Sequence, residues 1–312
     1  MNQSAEEELL AELRPTAFAI AYRMLGSVAE AEDIVQEALL RTHNALEGGE
    51  RIDSPRAYVG TVTTRLAIDH LRSARVRREQ YVGEWLPEPL LADPGAGPAE
   101  QAEVADSLST AFLVLLESLT PEQRAALLLH DVFDYGYGEV AEIVGTSEAN
   151  ARQLATRARR HVGERRPRFR SSDEEREELA DRFFEAVDEG DMAGLEALLA
   201  DDVVLRGDGG GKVPALARAI SGRTRVARTL RNWSRAGMRS FGVSFRRESV
   251  NGGPGAVAVD GEGRVLAVFS LDFAGGSIRG VSSVVNPDKL GHLGPLADYA
   301  AMIRELRAGR RA

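Results

Sequence analysis

The residues of this chain best suited to chemistry are the arginines and polar side chains within the stretch Tyr137–Val162. Its pattern predicts a short helix, a tight turn at Gly145 and a second, basic helix that begins after the N-cap residue Ser147. Two helices joined in this way are typical of proteins that place the second helix in the DNA major groove. An ordinary helical hairpin with a solvated basic face is the alternative. The candidate DNA-contacting residues lie on successive turns of the second helix and are Arg152, Gln153, Thr156, Arg157 and Arg160.

The side-chain types of this second helix divide into two kinds of expected contact. Arg152 can pair bidentately with guanine and Gln153 with adenine, and each such pair contributes roughly 1–3 kcal/mol of discrimination. Arg159, Arg160 and Arg165 are expected to contact phosphates, which position a protein on DNA without reading its sequence.

The composition limits which classes of protein remain. The 312 residues include no cysteine, which excludes disulfides, thiolate metal sites and cysteine catalysis. No apolar run approaches the length of a transmembrane helix, and the acidic N-terminus lacks the basic region of a signal peptide. We therefore expect a cytoplasmic protein without a membrane partner, and the length suggests two or three domains.

The distribution of charge is more informative than the net charge of −9. Residues 55–78 contain six arginines and a single acid, Asp69, and residues 137–170 contain eight arginines and four glutamates. Residues 79–106, which lie between them, contain seven acids and no lysine or arginine. The pattern predicts two basic modules, both suited to nucleic acid, joined by an acidic linker.

The elements that must position these residues follow from periodicity. Residues 9–80 and 106–165 show helical spacing, and residues 173–200 predict one or two further helices. Short apolar runs between Gly-rich turns then predict a curved antiparallel sheet, followed by a terminal helix. Helices followed by four or five strands indicate an α+β cone.

Three segments, in this order and at these distances, resemble the sigma-70 family. They are AEDIVQEALLRTH (31–43), SPRAYVGTVTTRLAIDHLRSARVRRE (54–79) and LTPEQRAALLLHDVFDYGYGEVAEIVGTSEANARQLATRARR (119–160). The match is narrower with the extracytoplasmic-function sigma factors, which keep only domains two and four. Three shorter segments, YVGEWLPEPL (81–90), DGGGK (208–212) and NPDKL (286–290), resemble the subgroup that carries a fused SnoaL-like domain.

The resemblance implies a multidomain protein with two all-α sigma domains, the second with the helix-turn-helix, and a C-terminal α+β SnoaL-like cone. It implies a factor that directs promoter-specific transcription initiation by the bacterial RNA polymerase core and is regulated by its own C-terminal domain. The expected divisions are sigma domain 2 at 1–80, an acidic linker at 81–105, sigma domain 4 at 106–165, the SnoaL-like domain at 172–295 and a terminal helix or tail at 296–312.

The resemblance also implies roles for particular residues. The face expected to bind the β′ clamp of the polymerase comprises Asp33, Gln36, Glu37 and Arg41. The helix expected to contact the −10 promoter element supplies Arg65, His70, Arg72, Arg75, Arg77 and Arg78. The helix-turn-helix is expected to read the −35 element, and the acidic linker to thread the nucleic-acid channels of the polymerase.

The C-terminal domain allows an enzymatic and a regulatory interpretation. SnoaL-like enzymes combine a carboxylate with a Tyr, His or acid donor, but residues 172–290 contain no tyrosine or histidine. Asp208, Asp272 and Asp288, with Arg206 and Arg223, remain as candidates. We favour a non-enzymatic domain without metal or cofactor, and leave open a small ligand of unknown identity inside the cone.

Both lysines of the chain fall in DGGGK and NPDKL, which suggests a shared regulatory site. We expect Asp208–Lys212 and Asn286–Leu290 to hold the cone against the sigma modules or their linker. The residues assigned to this site are Trp85, Asp208, Gly209, Gly210, Gly211, Lys212, Asn286, Pro287, Asp288 and Lys289.

Two other classes of function remain as alternatives. The first is a helix-turn-helix regulator with a ligand-binding or enzymatic SnoaL-like domain, which would leave AEDIVQEALLRTH unexplained. The second is an enzyme with a DNA-binding appendage, which the missing proton donors disfavour.

Overall fold

The chain forms two compact units in the computed structural model, which describes residues 3–79, 81–92, 107–163, 172–235 and 241–309. One unit comprises Met1–Gln80 and Leu113–Arg166, and the other comprises Tyr81–Phe112 and Pro167–Ala312. The two predicted helical modules therefore belong to one unit. The described start of the predicted linker (81–105) groups with the C-terminal domain, and the division at 81–105 stays a prediction.

The first unit is helical, as the periodicity predicts. Its helices are α1 (Gln3–Leu25), α2 (Val28–Glu47), α3 (Pro55–Glu79), α4 (Thr110–Leu116, whose first turn lies in the second unit), α5 (Pro121–Asp131), α6 (Tyr137–Val144) and α7 (Glu148–Gly163). Side-chain caps fix several of the N-termini. The Ser27 hydroxyl accepts the Glu30 N–H at the start of α2, and Thr120 with Gln123 forms a capping box at the start of α5.

The turn of the helix-turn-helix lies where the sequence predicts it. Gly145 adopts the left-handed conformation, with φ of 77°, and its N–H donates to the Ala141 carbonyl at the end of α6. The Ser147 hydroxyl accepts the Asn150 N–H at 3.3 Å and caps α7. Because Ala151, Ala155 and Ala158 are buried, the opposite side of α7 faces solvent.

The second unit contains an α+β cone. Its elements are α8 (Asp173–Glu189), α9 (Met192–Leu198), β1 (Leu199–Asp208), β2 (Ile220–Ser221), α10 (Arg223–Trp233), β3 (Ser244–Val250), β4 (Gly253–Val259), β5 (Val265–Ala274), β6 (Ser277–Val284), 3₁₀ turns at Pro287–Lys289 and Gly291–Leu293, and α11 (Tyr299–Gly309). The sheet has the order β2-β1-β6-β5-β4-β3. Helices α8, α9 and α10 pack on one face, where Phe184, Phe245 and Phe269 form an aromatic cluster.

The sheet is mixed, so the prediction of a wholly antiparallel sheet was wrong. Strands β3 to β6 follow one another as hairpins and pair antiparallel. Strand β1 pairs parallel with β6, with Leu205 opposite Val281. The alternation of apolar residues reports which side chains are buried, but it carries no information about the direction of the neighbouring strand.

The other face of the sheet is covered by part of the predicted linker. Leu86, Pro87 and Pro89 are buried, and the Asn251 N–H donates to the Leu90 carbonyl at 2.7 Å. Leu91 forms an isolated antiparallel bridge with Val250 at the end of β3. The proline-rich segment is thus an integral part of the second unit. Within the described residues, no helix is long and apolar enough to cross a bilayer.

Candidate functional site

The predicted reading surface of α7 is exposed. Arg152, Gln153, Thr156, Arg157 and Arg160 all face solvent. The Arg152 guanidinium pairs with Glu148 at 2.5 Å and lies 4.7 Å from the centre of the Tyr137 ring. The Arg152 guanidinium thus has only exposed partners on the helix surface, and its contact with a base edge stays a prediction.

Arg159 has partners inside its own module, and the expectation that it contacts a phosphate stays a prediction. Its guanidinium donates to Asp131 at 2.7 Å and to the Tyr137 hydroxyl at 2.9 Å. These hydrogen bonds, above all that to Asp131, raise the pKa of Arg159 above its usual value. Arg159 holds α7 against α5 and α6, whereas Arg165 lies outside the described residues.

A polar depression beside α7 suits a phosphate. Arg157, Arg160 and His161 line it from α7, and Ser118 and Gln123 line it near the start of α5. His161 bonds to the Ser118 hydroxyl at 2.7 Å. Sequence reasoning named the two arginines but missed Ser118, Gln123 and His161, which are distant in the chain and carry no motif of their own.

The helix expected to contact the −10 element has two of its arginines engaged by the second module. Arg65 donates to the carbonyls of Glu142 at 2.9 Å and Ile143 at 3.2 Å. These carbonyls lie in the last turn of α6, where the helix dipole favours a cation. Since α6 is the first helix of the helix-turn-helix, Arg65 joins the two predicted DNA-reading modules directly.

Arg72 forms a second link between the modules. It donates to the Glu122 carboxylate at 2.7 Å, at the start of α5. Burial alone would raise the pKa of Glu122, but the Arg72 hydrogen bond and the other donors outweigh it and lower that pKa. His70 pairs with Glu30 on α2 at 3.2 Å, and the side chains of Arg75, Arg77 and Arg78 lie outside the described part of the structure.

Close packing reinforces these polar links. A Cβ atom on Gly60 of α3 would collide with the Tyr135 hydroxyl, so only glycine permits this approach of α3 to the residue before α6. Arg124, which is buried in α5, donates to the Met24 carbonyl at the end of α1 at 2.6 Å and to Glu117 at 2.9 Å. The contact between the two modules is therefore built along α1, α3, α5 and α6.

The predicted polymerase-binding face of α2 is available to a partner. Asp33, Gln36 and Arg41 are exposed, and Arg41 pairs with Glu37 at 2.7 Å along the helix. Next to them, the Leu40 side chain is 53% exposed, which is rare for a leucine in this structure. Sequence reasoning passed over Leu40, although a leucine at a solvent-facing helical position is a recognisable signal of a protein contact.

Four predicted regulatory residues, among them Trp85 of the linker, converge on one buried site. We call this site the linker anchor and define it by Tyr81, Trp85, Leu86, Asp208, Asn286 and Lys289. The Asp208 carboxylate is fully buried and accepts the Tyr81 hydroxyl at 2.5 Å, the Leu86 N–H at 2.9 Å and the Lys289 ammonium at 2.8 Å. Asn286 donates to the Tyr81 hydroxyl at 3.0 Å.

Lys289 occupies the centre of the linker anchor. Its ammonium donates to the Leu86 carbonyl and lies 4.4 Å from the centre of the Trp85 ring and 5.0 Å from that of Tyr81. Burial, the hydrogen bond to Asp208 and the charge of Asp208 raise the pKa of the Tyr81 hydroxyl, which therefore stays neutral. A buried charge that is paired and hydrogen-bonded in this way is costly to leave without its partner.

The glycines of DGGGK allow the linker and the turn to meet closely. Gly210 and Gly211 have positive φ, at 57° and 72°. A Cβ on Gly210 would collide with the Asn286 side chain, and one on Gly211 would lie 2.9 Å from Val82. At the rim, Lys212 pairs with Asp288, whose N–H is capped by Asn286. Sequence reasoning named Trp85 but not Tyr81 or Leu86, because their partners lie over a hundred residues away.

Two residues that follow the predicted linker, Thr110 and Ala111, are also bound to the cone. The Thr110 and Ser270 hydroxyls are 2.9 Å apart, and the Asp272 carboxylate accepts the Ala111 N–H. Burial raises the pKa of Asp272 to about 6, although Arg206 and the Ala111 N–H act in the opposite direction. Both ends of residues 81–112 thus contact the outer face of the sheet.

The carboxylates considered for catalysis have structural roles. Asp208 belongs to the linker anchor, Asp288 pairs with Lys212 at its rim, and Asp272 binds the end of the linker. Arg206 lies 3.7 Å from Glu84 of the linker, and Arg223 pairs with Asp201 at 3.0 Å. The cone contains a separate cavity of about 330 Å³ between the sheet and its helices, whose described lining contains no carboxylate or histidine.

Comparison with known protein families finds one family for each of the two helical modules and one for the C-terminal cone. Residues 9–77 match the sigma-70 region 2 family, residues 109–162 match sigma-70 region 4, and residues 180–285 match the SnoaL-like domain family. The chain is 40% identical to the ECF RNA polymerase sigma factor SigJ of Mycobacterium tuberculosis over 89% of this chain and 90% of that protein. It is 32% identical to the probable ECF RNA polymerase sigma factor SigI of the same species over 87% of this chain and 90% of that one.

A solved structure has the same fold over nearly the whole chain. The crystal structure of Mycobacterium tuberculosis SigJ superimposes with a TM-score of 0.74 at 37% identity, and the match covers 93% of this chain and 99% of that one. The predicted combination of two helical modules with a C-terminal α+β cone is therefore confirmed.

Proposed function

The chain belongs to the extracytoplasmic-function (ECF) RNA polymerase sigma factors, and we propose that its C-terminal domain restrains promoter recognition by binding the segment between the two DNA-reading modules. In this proposal α7 reads the −35 element, α3 contacts the −10 element, and the exposed face of α2 binds the β′ clamp of RNA polymerase. The protein acts where the polymerase works, in the cytoplasm.

The observation that carries the proposal is the direct contact between the two modules. Arg65 of α3 is bonded to the last turn of α6, the first helix of the helix-turn-helix, so the two modules that carry the proposed DNA-reading surfaces touch. The −10 and −35 elements are separated by about 25 base pairs, or about 85 Å at 3.4 Å per base pair. In this proposal a protein bound to both elements separates the modules, and the contact between them belongs to a closed state.

The linker length explains why the cone can oppose this separation. The 29 residues from Tyr81 to Ser109 span at most about 96 Å when fully extended, at 3.3 Å per residue. A separation of about 85 Å would use most of that length. Since residues 81–92 and 110–111 are bound to the cone, extension of the linker requires the breaking of those contacts. The linker anchor thus stabilises the closed state by differential binding.

In-vitro transcription with purified core polymerase tests this proposal. We expect Lys289→Met to raise promoter output relative to the unaltered chain, because it leaves Asp208 without its cation and weakens the hold on Leu86. Loss of one partner from a buried pair costs about 3–5 kcal/mol. A truncation that ends before Asn286 removes the same contacts and is expected to change output as well.

Lys212→Met is the matched control for Lys289→Met. Lys212 also pairs with an aspartate, but its side chain is 53% exposed, whereas that of Lys289 is 8% exposed. Exposed pairs contribute about 0–1 kcal/mol, so Lys212→Met should leave output nearly unchanged. Unchanged or reduced output with a folded Lys289→Met protein would refute the restraining role of the linker anchor.

The two alternative functions have less support. A regulator that does not bind polymerase is disfavoured by the match to sigma-70 region 2 over residues 9–77 and by the ECF relatives. An enzymatic cone is disfavoured because Asp208 and Asp272 bind residues 81–112 and Asp288 pairs with Lys212. The described lining of the cavity offers neither a carboxylate nor a histidine.

A further inference from the structure

The cavity of the C-terminal cone is built for an apolar molecule. Its volume of about 330 Å³ lies at the lower end of the range for sites that hold drug-sized ligands. The aromatic residues of its lining include Phe183, Phe184, Trp233, Phe245, Phe269 and Tyr299. Its described lining carries no charged side chain, so a charged ligand would lose its hydration without gaining a counterion.

Two hydroxyl groups supply the polar part of this lining. They belong to Ser283 on β6 and Tyr299 at the start of α11. Within the described residues neither side chain has a hydrogen-bond partner. Burial raises the pKa of Tyr299, so its hydroxyl stays protonated and able to donate. The lining therefore suits a molecule with one hydrogen-bonding group on an apolar frame.

The cavity and the linker anchor share two strands. Gly207 lines the cavity, and the next residue, Asp208, binds the linker. Likewise Val285 lines the cavity, and the next residue, Asn286, binds Tyr81. A shift of either strand end toward or away from the cavity thus changes the linker anchor directly.

A loop provides a further connection. Pro214, Ala215 and Leu216 line the cavity immediately after the DGGGK turn. A Cβ on Gly209 would lie 2.8 Å from Ala215, and one on Gly207 would lie 3.3 Å from Leu216, so this loop packs directly on the turn. Displacement of the loop by a ligand would therefore displace Asp208–Lys212.

We propose that the cavity binds an uncharged, ring-containing apolar molecule with one hydrogen-bonding group, and that its occupancy alters the linker anchor through Gly207–Asp208 and Val285–Asn286. This inference rests on the proposed function of the linker anchor and names the class of signal that acts on it. The ligand shifts the equilibrium only to the extent that it binds the anchored and released states differently.

The two tryptophans of the chain allow a direct test, since Trp233 lines the cavity and Trp85 lies in the linker anchor. The full-length chain is labelled with 5-fluorotryptophan, and the two ¹⁹F resonances are assigned with Trp85→Phe and Trp233→Phe. The neutral fluorescent probe N-phenyl-1-naphthylamine is then titrated. We expect saturable binding by fluorescence and a shift of both resonances at the same probe concentration.

A matched ligand and a matched variant serve as controls. The probe's 8-sulfonate has the same rings with one negative charge, and it should bind at least about tenfold more weakly. Ala258→Leu fills the cavity and should weaken binding of the neutral probe about tenfold, whereas Ala197→Leu makes the same change at an exposed helical position. The sulfonate comparison uses the unaltered chain, so it holds even where Ala258→Leu fails to fold.

Three results would overturn the inference. These are the absence of saturable probe binding, equal binding of the sulfonate, and a shift of the Trp233 resonance without one of Trp85. The transcription assay with Lys289→Met needs no probe, so it tests the restraining role of the linker anchor independently of the cavity.

Discussion

At the residue scale, the arginines on and near α7, the proposed DNA-reading helix, divide by the partners that they have in the structure. Arg159 is held by Asp131 and Tyr137, and Arg65 by the carbonyls that end α6. Arg152 pairs with Glu148 on the same exposed helix, where such pairs contribute only about 0.3–0.5 kcal/mol. Arg152 can therefore leave its partner for DNA at little cost, whereas Arg159 stabilises the module.

We expect Arg152→Ala to relax −35 specificity with little loss of stability. The loss of a bidentate contact to guanine should reduce discrimination between promoter variants by about 1–3 kcal/mol. Binding to a panel of −35 variants, measured together with thermal unfolding, checks this. Arg159→Ala is the control, and it should lower stability and affect all promoter variants alike. An unaltered ranking of promoters by Arg152→Ala would contradict the assignment.

Asp272 makes the docking of the linker sensitive to pH. Its pKa of about 6 in the folded chain exceeds the usual aspartate value of about 3.9, so the folded state favours the protonated form. The stabilising contribution is complete below about pH 4 and is lost as the pH rises through about 6. We expect Asp272→Asn to unfold at a higher temperature than the unaltered chain at pH 7.

The difference in unfolding temperature between the two chains should shrink as the pH falls from 7 to 4. This comparison cancels the titration of the other carboxylates, which both chains share. An Asp272→Asn chain that is less stable than the unaltered chain at pH 7 would show that the ionised carboxylate stabilises the fold, contrary to this account.

At the element scale, local sequence determines the helix-turn-helix. Contacts between residues distant in the chain determine the packing of the two helical modules and the docking of the linker on the cone. The turn at Gly145 and the cap at Ser147 involve neighbours within a few residues, so the pattern alone predicts them. The contact of Arg65 with Glu142 spans 77 residues, and that of Tyr81 with Asp208 spans 127. Neither contact leaves a local signal, so the sequence predicted that the cone holds the sigma modules or their linker but not which residues make the contacts.

Gly145 should be the position where the helix-turn-helix tolerates change least. Its φ of 77° is costly for any residue with a Cβ, so Gly145→Ala is expected to destabilise the chain by about 1 kcal/mol. The same change should weaken promoter binding because it alters the angle between α6 and α7. Urea unfolding and a binding titration provide the two measurements.

Gly138 provides the matched comparison. It lies within α6, and a Cβ there would meet no atom within 4 Å. Gly138→Ala should therefore stabilise the chain by up to about 1 kcal/mol through helix propensity. A stabilising Gly145→Ala would disprove the requirement for the left-handed turn.

At the scale of the whole molecule, the proposed regulation is a competition between contacts inside the chain and contacts with promoter and polymerase. Arg65 and Arg72 take part on both sides, since they bind the second module in the closed state and are proposed to bind DNA in the open one. The closed state therefore neutralises part of the cationic surface that promoter binding needs. No separate inhibitor is required for this effect.

Glu122→Ala should favour the open state. It removes the carboxylate that holds Arg72 in the closed state. Because a half-exposed ion pair contributes up to about 1 kcal/mol, promoter affinity is expected to rise about two- to fivefold. Affinity is measured with core polymerase at fixed salt. In an Arg72→Ala background the gain should vanish, whereas a gain that persists there would reflect only the removal of a negative charge.

The chain has only two lysines, and both lie at the linker anchor, so a reagent that acylates amines can probe this site selectively. Lys212 and Lys289 are its only side-chain amines, and one lies at the rim of the linker anchor while the other lies at its centre. An acylating reagent can reach Lys212 in the closed state, but Lys289 is covered by Tyr81 and Trp85. The rate at which Lys289 is acylated therefore reports how often the linker is released from the anchor in the natural chain. The acylation rate of the exposed Lys212 serves as the internal standard for the reactivity of the reagent.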